Sequence, residues 1–214
     1  SDMPIKQALN KEFKITGNNK KPQILIYHTH SMEDFSNTTK DEDTTIIGVG
    51  NRLAQILREQ FGYNVIHDKT KYDIVNGKLD RHEAYTQSKA GGKKYPSISL
   101  ILDIHRDGVN DGTRLVTEIN GKKTAQIMFF NGMSRFKLSG DIDYLKNPYR
   151  FENLALGLQM KVNAECYYPG FTRRNYVNAY EYNLSLGKQC MLIEVGAQTN
   201  TYQEAKNAAE PLAV

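Results

Sequence analysis

The strongest constraint on this chain is a series of short apolar runs separated by helical or polar segments. Gln23–His30 (QILIYHTH) begins with one such run, set off by the lysine-rich Asn18–Lys21 and Pro22. It reads as a buried strand. Tyr63–His67 (YNVIH), Ile98–Ile104 (ISLILDI) and Cys190–Val195 give three more. Strands apolar at consecutive positions need cover on both faces, which is the condition of a largely parallel sheet.

Between the strands, Ile46, Val49, Leu53, Ile56 and Leu57 recur at helical spacing and predict a helix over Thr44–Gln60. Asp43 or Thr44 would cap it, and Gly62 sits where helices commonly stop. A weaker helical pattern covers Leu79–Ala90, ahead of Gly91-Gly92. Another covers Phe151–Cys166, with Phe151, Leu154, Leu158 and Val162 on one stripe, and a closing helix spans Tyr202–Ala209. Asn120-Gly121 between two alternating runs predicts a hairpin of Arg114–Ile119 with Thr124–Phe130. Gly132–Tyr149 reads as a long loop and Tyr167–Tyr180 as an irregular, aromatic and basic connection. The alternation predicts a single-domain α/β fold, a mostly parallel central sheet flanked by helices. Residues 22–214 would form the domain, with 1–21 as a lead-in.

Composition narrows the function classes. The net charge is +4, with Lys and Arg spread along the chain, where a nucleic-acid binder calls for a dense basic stripe. No run approaches the roughly 18 apolar residues of a membrane span, and no signal peptide is visible. Ser1-Asp2-Met3 reads as a scar of tag removal, so an upstream anchor stays compatible with the sequence. Cys166 and Cys190 are too few for a disulfide framework, and Cys190 opens an apolar run as a buried thiol would. The 13 tyrosines suit a half-wet groove or a core rim. No GxSxG elbow, P-loop or GxGxxG occurs.

The chemistry-bearing residues gather where the strands end. The first run finishes in His28-Thr29-His30 and leads to Glu33; the third finishes in Asp103-Ile104-His105-Arg106-Asp107; the last carries Glu194. Sites in open α/β sheets form beyond the carboxyl ends of parallel strands, so these groups are expected to converge. His30 and Glu33 (HxxE), joined by His105, make a set of three zinc ligands with an open fourth position. His28 competes with His30, because in an extended strand the two point to one face. Only His30 has a carboxylate three residues on, which leaves His28 a structural role. Glu194, an acid in an apolar strand, must be paired or near a metal, and as a general base it would take a proton from water and return it to a leaving amine. Arg106 would grip a substrate carboxylate, or else pair with Asp103 or Asp107. His67 and His82 read as packing or surface residues.

ILIYHTHSMEDF (24–35), IIGVGNRLAQIL (46–57), HDKTKYD (67–73), LDIHRDGV (102–109) and LIEVGAQTNTYQEA (192–205) together resemble the stage II sporulation protein P family, peptidoglycan hydrolases of endospore-forming bacteria. The resemblance implies the fold of zinc N-acetylmuramoyl-L-alanine amidases, with Zn2+ on His30, Glu33 and His105 and Glu194 as the catalytic carboxylate. It further implies cleavage of the muramoyl–alanine amide, endopeptidase action on cross-links, and work beside stage II sporulation protein D during forespore engulfment. Family members act outside the cytoplasmic membrane, held by an amino-terminal anchor. A zinc carboxypeptidase and a catalytically degenerate wall-binding module remain the rival readings.

Overall fold

A computed structural model describes residues 4–214, so the tag remnant expected at Ser1-Asp2-Met3 lies outside the described residues. The elements run α1 (Ile5–Leu9), β1 (Ile24–Tyr27), α2 (Ile46–Glu59), β2 (Val65–His67), the short arms β3 (Ile74–Val75) and β4 (Lys78–Leu79), and α3 (Ala84–Gly92). They continue with β5 (Leu100–Asp107), β6 (Val116–Ile119), β7 (Lys122–Ala125), β8 (Ile127–Gly132), β9 (Arg135–Phe136), β10 (Gly140–Asp141), α4 (Arg150–Tyr167), β11 (Tyr176–Asn178), β12 (Cys190–Ala197) and α5 (Tyr202–Ala213).

Six strands form the central sheet in the order β11-β8-β12-β5-β1-β2. The four apolar runs β12, β5, β1 and β2 are parallel to their neighbours, while β8 runs antiparallel to β12 and β11 follows β8. Alternation along the strands separates two cores. Ile24, Ile26, Leu102, Ile104, Met191 and Ile193 meet apolar residues of α2, α4 and α5 on one face. Leu25, Tyr27, Ile101, Cys190 and Leu192 form a smaller cluster on the other, with Tyr72 and Leu184. That second face has less helical cover, and it carries the side chains of the site. The expected α/β architecture, with its mostly parallel sheet flanked by helices, is the one observed.

Several boundaries differ from the expectations, each for a local reason. The α2 cap is Thr45, whose hydroxyl accepts from the Ile47 amide; Asp43 and Thr44 lie in the preceding 3-10 turn. The helix expected from Leu79 begins at Ala84, because Asn76 and Gly77 both adopt positive φ and fold Leu79 into a hairpin. The run Thr124–Phe130 is not one hairpin arm. Its first residues pair with β6, and from Ile127 the chain joins the main sheet against β12. The expected loop Gly132–Tyr149 contains the β9–β10 hairpin, and the irregular connection contains β11. In α4 the stripe through Val162 is not the inward face: Val162 is 42% exposed, while Asn153, Ala155, Leu156 and Gly157 are buried. Phe151 is covered from the other side by the lead-in, with Lys11 over its ring, and Gln159 donates to the Ala8 and Lys11 carbonyls.

Candidate active site

The first strand stops at Tyr27, and the chain turns at Thr29-His30. Asp103 on β5 secures that turn, accepting from the Thr29 amide (2.9 Å) and hydroxyl (2.6 Å). Asp73 accepts from Ser31 Oγ (2.5 Å) and the Met32 amide (3.1 Å). The turn parts the two histidines that an extended strand would have kept on one face. His28 stays beneath α2, with Nδ1 2.7 Å from the Ile104 carbonyl and Nε2 2.8 Å from His67 Nε2. Burial lowers the pKa of His28 to about 4 and of His67 to about 3, and the neighbouring His28 adds to the lowering of His67. His28 and His67 are thus packing residues that are each other's partner, and His82 is exposed.

His30 emerges on the opposite face beside Glu33 and His105. One ligand atom from each of the three lies within 4.8 Å of the others, and all three residues are buried. His30 Nδ1 is 3.5 Å from Glu33 Oε1, and His105 Nδ1 is 3.5 Å from Glu33 Oε2. The two imidazoles stand edge to face, 5.0 Å between centroids. Asp103 lies two residues before His105 on the same strand face and comes within 2.8 Å of its Nε2. The contact is an ion pair rather than an aligned hydrogen bond, and it turns Nδ1 toward Glu33, where a metal would displace the proton that nitrogen carries in the metal-free protein. Glu33 Oε2 also accepts from the Arg106 amide (2.8 Å). Burial alone would raise the Glu33 carboxyl, but His105 and the Arg106 amide hold it well below the usual range. Burial likewise opposes charge on His105, yet Asp103 and Glu33 outweigh it and push the imidazole well above its ordinary value. Two imidazole nitrogens and one ionised carboxylate oxygen, converging from a buried floor, fit a zinc ion with one open side.

The open side faces a cavity of about 450 Å³, which Glu194 also lines. His105 lies inside β5 rather than at the end of a strand closing at Ile104, while Glu194 lies within β12 as its apolar run indicates; the two are direct partners across the β5–β12 ladder. Burial pushes the Glu194 carboxyl up to about 8; His105 opposes the shift, and Glu33, Asp107 and Asp103 add to it. Its Oε2 has no hydrogen-bond partner among the described residues.

Arg106 lines the same cavity but forms an ion pair with neither expected aspartate, reaching Asp107 only at its backbone carbonyl (3.4 Å). Its Nε donates to the Asp34 carbonyl (3.0 Å) and its Nη2 approaches the Asp34 carboxylate (3.5 Å), while the Asp107 carboxylate takes Arg173 (2.6 Å). An aromatic ridge leads away from His30. Tyr85 stands edge-on to His30 (5.4 Å), Tyr182 to Tyr85 (5.6 Å), Phe130 to Tyr182 (4.6 Å), and Tyr176 tilts against Phe130 (5.0 Å). Arg81 and the bracing role of Asp103 are absent from the sequence-based candidates. The shared parity of Asp103 and His105 was the available signal for one; no local pattern marks Arg81.

Solved structures place this architecture. The CwlD amidase of Clostridioides difficile, in complex with the GerS lipoprotein, is similar over 90% of this chain and 95% of its own, at 14% identity and a TM-score of 0.56. An N-acetylmuramoyl-L-alanine amidase from Clostridium difficile 630 is similar over 92% and 94%, at 15% identity and 0.54. The catalytic domain of CwlV, an N-acetylmuramoyl-L-alanine amidase from Bacillus (Paenibacillus) polymyxa var. colistinus, is similar over 90% and 94%, at 10% identity and 0.51. No match to this chain was found among curated protein sequences. The class defined by the fold is therefore the N-acetylmuramoyl-L-alanine amidase fold, here with a candidate His-Glu-His metal centre. Within it, the chain belongs to the Stage II sporulation protein P (SpoIIP) family, whose model matches residues 3–214.

Proposed function

We propose that this protein is a zinc-dependent peptidoglycan hydrolase that cleaves the amide between N-acetylmuramic acid and the L-alanine of the stem peptide. The observation that carries the reading is the convergence of His30, Glu33 and His105 within 4.8 Å, with Glu194 opposite His105 in the ladder. A zinc ion held there would polarise the amide carbonyl and make water acidic enough to react near neutral pH. The chain's own residues supply the rest. Glu33 and the two imidazoles provide the ligand set, Asp103 orients His105, and Glu194 moves the proton. Burial favours the protonated Glu194 carboxyl in the metal-free protein; a bound cation would favour the ionised form, which can take a proton as the amide is attacked and return it to the departing alanine amine.

The cavity suits a substrate with a sugar at one end and an acidic peptide at the other. Arg106 would hold a stem-peptide carboxylate, and the ridge from Tyr85 to Tyr176 would take the apolar face of a sugar ring. Family membership supports a role in forespore engulfment beside stage II sporulation protein D, outside the cytoplasmic membrane and held by an anchor. Endopeptidase action on cross-links is part of the same proposal, with residues 22–214 as the catalytic unit and 1–21 as lead-in. No described helix is long and apolar enough to cross a membrane.

Product analysis tests the reading. Digestion of purified sacculi should release stem peptides with a new amino-terminal alanine and leave glycan strands intact. A chelator should abolish the release and zinc restore it. Loss of a terminal residue alone would identify a carboxypeptidase, and intact sacculi with bound protein a wall-binding module.

A further inference from the structure

Arg81 lies in the connection between β4 and α3, yet it addresses both nitrogens of His30. Its carbonyl is 3.3 Å from His30 Nε2, and its Nη2 is 2.8 Å from His30 Nδ1. A guanidinium has donors only. The Nδ1 it meets must therefore be a lone pair, and the His30 proton must sit on Nε2, donated to the Arg81 carbonyl. The backbone of Arg81 thus holds the His30 ring with Nδ1 toward the centre, as Asp103 holds that of His105. The same Nη2 is also 2.8 Å from Glu33 Oε1.

Nδ1 of His30 and Oε1 of Glu33 are the atoms that face each other across the candidate centre. A guanidinium and a divalent cation cannot share His30 Nδ1, which has a single lone pair, and like charges repel at this separation. Arg81 is free to leave. Its side chain is 47% exposed, it lines the cavity, and Glu33 is its only ion-pair partner among the described residues.

We propose that Arg81 is an exchangeable internal cation. Its guanidinium caps His30 Nδ1 and Glu33 Oε1 when no divalent cation is bound and yields them when one binds. In yielding, it turns its donors into the cavity toward a carboxylate or carbonyl oxygen of the substrate. The carbonyl contact to His30 persists in both states, so Arg81 is a positioning residue throughout and a substrate-facing one only with metal. This rests on the metal-centre reading above.

The test is an equilibrium zinc titration of the full chain against a chromophoric chelator, with thermal melts in zinc and in chelator. Arg81→Ala and the neutral Arg81→Gln both remove the competing charge and keep the backbone carbonyl. If the capped form holds about nine-tenths of the metal-free protein, either variant should bind zinc about tenfold more tightly, since apparent affinity scales with the competent fraction. Each should also melt lower than wild type in chelator and close to wild type in zinc. Arg81→Gln serves where the alanine variant fails to fold. Equal or weaker zinc binding by the folded variants would overturn the exchange. Wild-type protein that binds no zinc would instead overturn the metal-centre reading beneath it.

Discussion

His105 and Glu194 face each other as direct partners in the parallel ladder between β5 and β12. Partnered positions put their side chains on the same sheet face, so a ligand imidazole and a proton-transferring carboxyl are held together by backbone hydrogen bonds instead of by a mobile loop. That placement explains how an acid can stand in a strand whose neighbours Leu192, Ile193 and Val195 are all buried.

Replacing Glu194 with Gln keeps the shape of the side chain and removes its proton transfer. Activity on sacculi should fall by about 10²–10⁴-fold, the usual worth of a positioned acid–base group. Zinc stoichiometry, measured on the same preparation by metal analysis, should remain that of wild type.

Asp103 is expected to matter for metal rather than chemistry. Asp103→Ala frees the His105 ring and should weaken zinc affinity by about 10–100-fold. It also leaves the Thr29 amide and hydroxyl without their acceptor, at about 1–3 kcal/mol of stability. Zinc titration and denaturant melts read the two effects separately.

Gly50 lies under the paired rings of His28 and His67. A Cβ there would stand 2.5 Å from His67 Nε2 and 2.7 Å from His28 Nε2. Gly50→Ala should therefore destabilise by about 1–3 kcal/mol, as overpacking does, although alanine is the better helix former. Chemical denaturation of the metal-free protein measures it.

The same pair sets a pH dependence of stability. Both imidazoles have folded pKa values lowered from 6.5, to about 4 for His28 and about 3 for His67. Below pH 6.5 the unfolded chain takes up protons that the folded chain refuses, so their contribution is whole above that pH and is lost on acidification toward 4 and then 3. Each unmatched proton gives a slope of about 1.4 kcal/mol per pH unit. His67→Gln should flatten the stability profile between pH 6.5 and 4 relative to wild type; an unchanged profile would contradict the assignment.

Much of this architecture was readable because the buried strands announce themselves. Ile24–Tyr27 and Cys190–Ile193 are apolar at every position, and residues with ligand or acid chemistry inside or just after such runs stand out. His30, Glu33, His105 and Glu194 could be gathered on that ground alone. The separation of His28 from His30 was not readable, since it depends on a turn that Asp103 holds from another strand. Arg81 was less accessible still: it reaches Glu33 across 48 residues from a connection with no periodic pattern. The direction of β8 was hidden for a similar reason, because Thr124–Phe130 contains no Gly, Pro or other breaker while its two halves join different sheets.

A crystal structure of the zinc-loaded protein, with anomalous data at the zinc edge, tests the central claim most directly. One peak should stand between His30, Glu33 and His105, at roughly 2.0–2.2 Å from a ligand atom of each, with the Glu194 carboxyl close enough to share a water on its open side. A peak elsewhere, or a Glu194 carboxyl turned away from the metal, would contradict it.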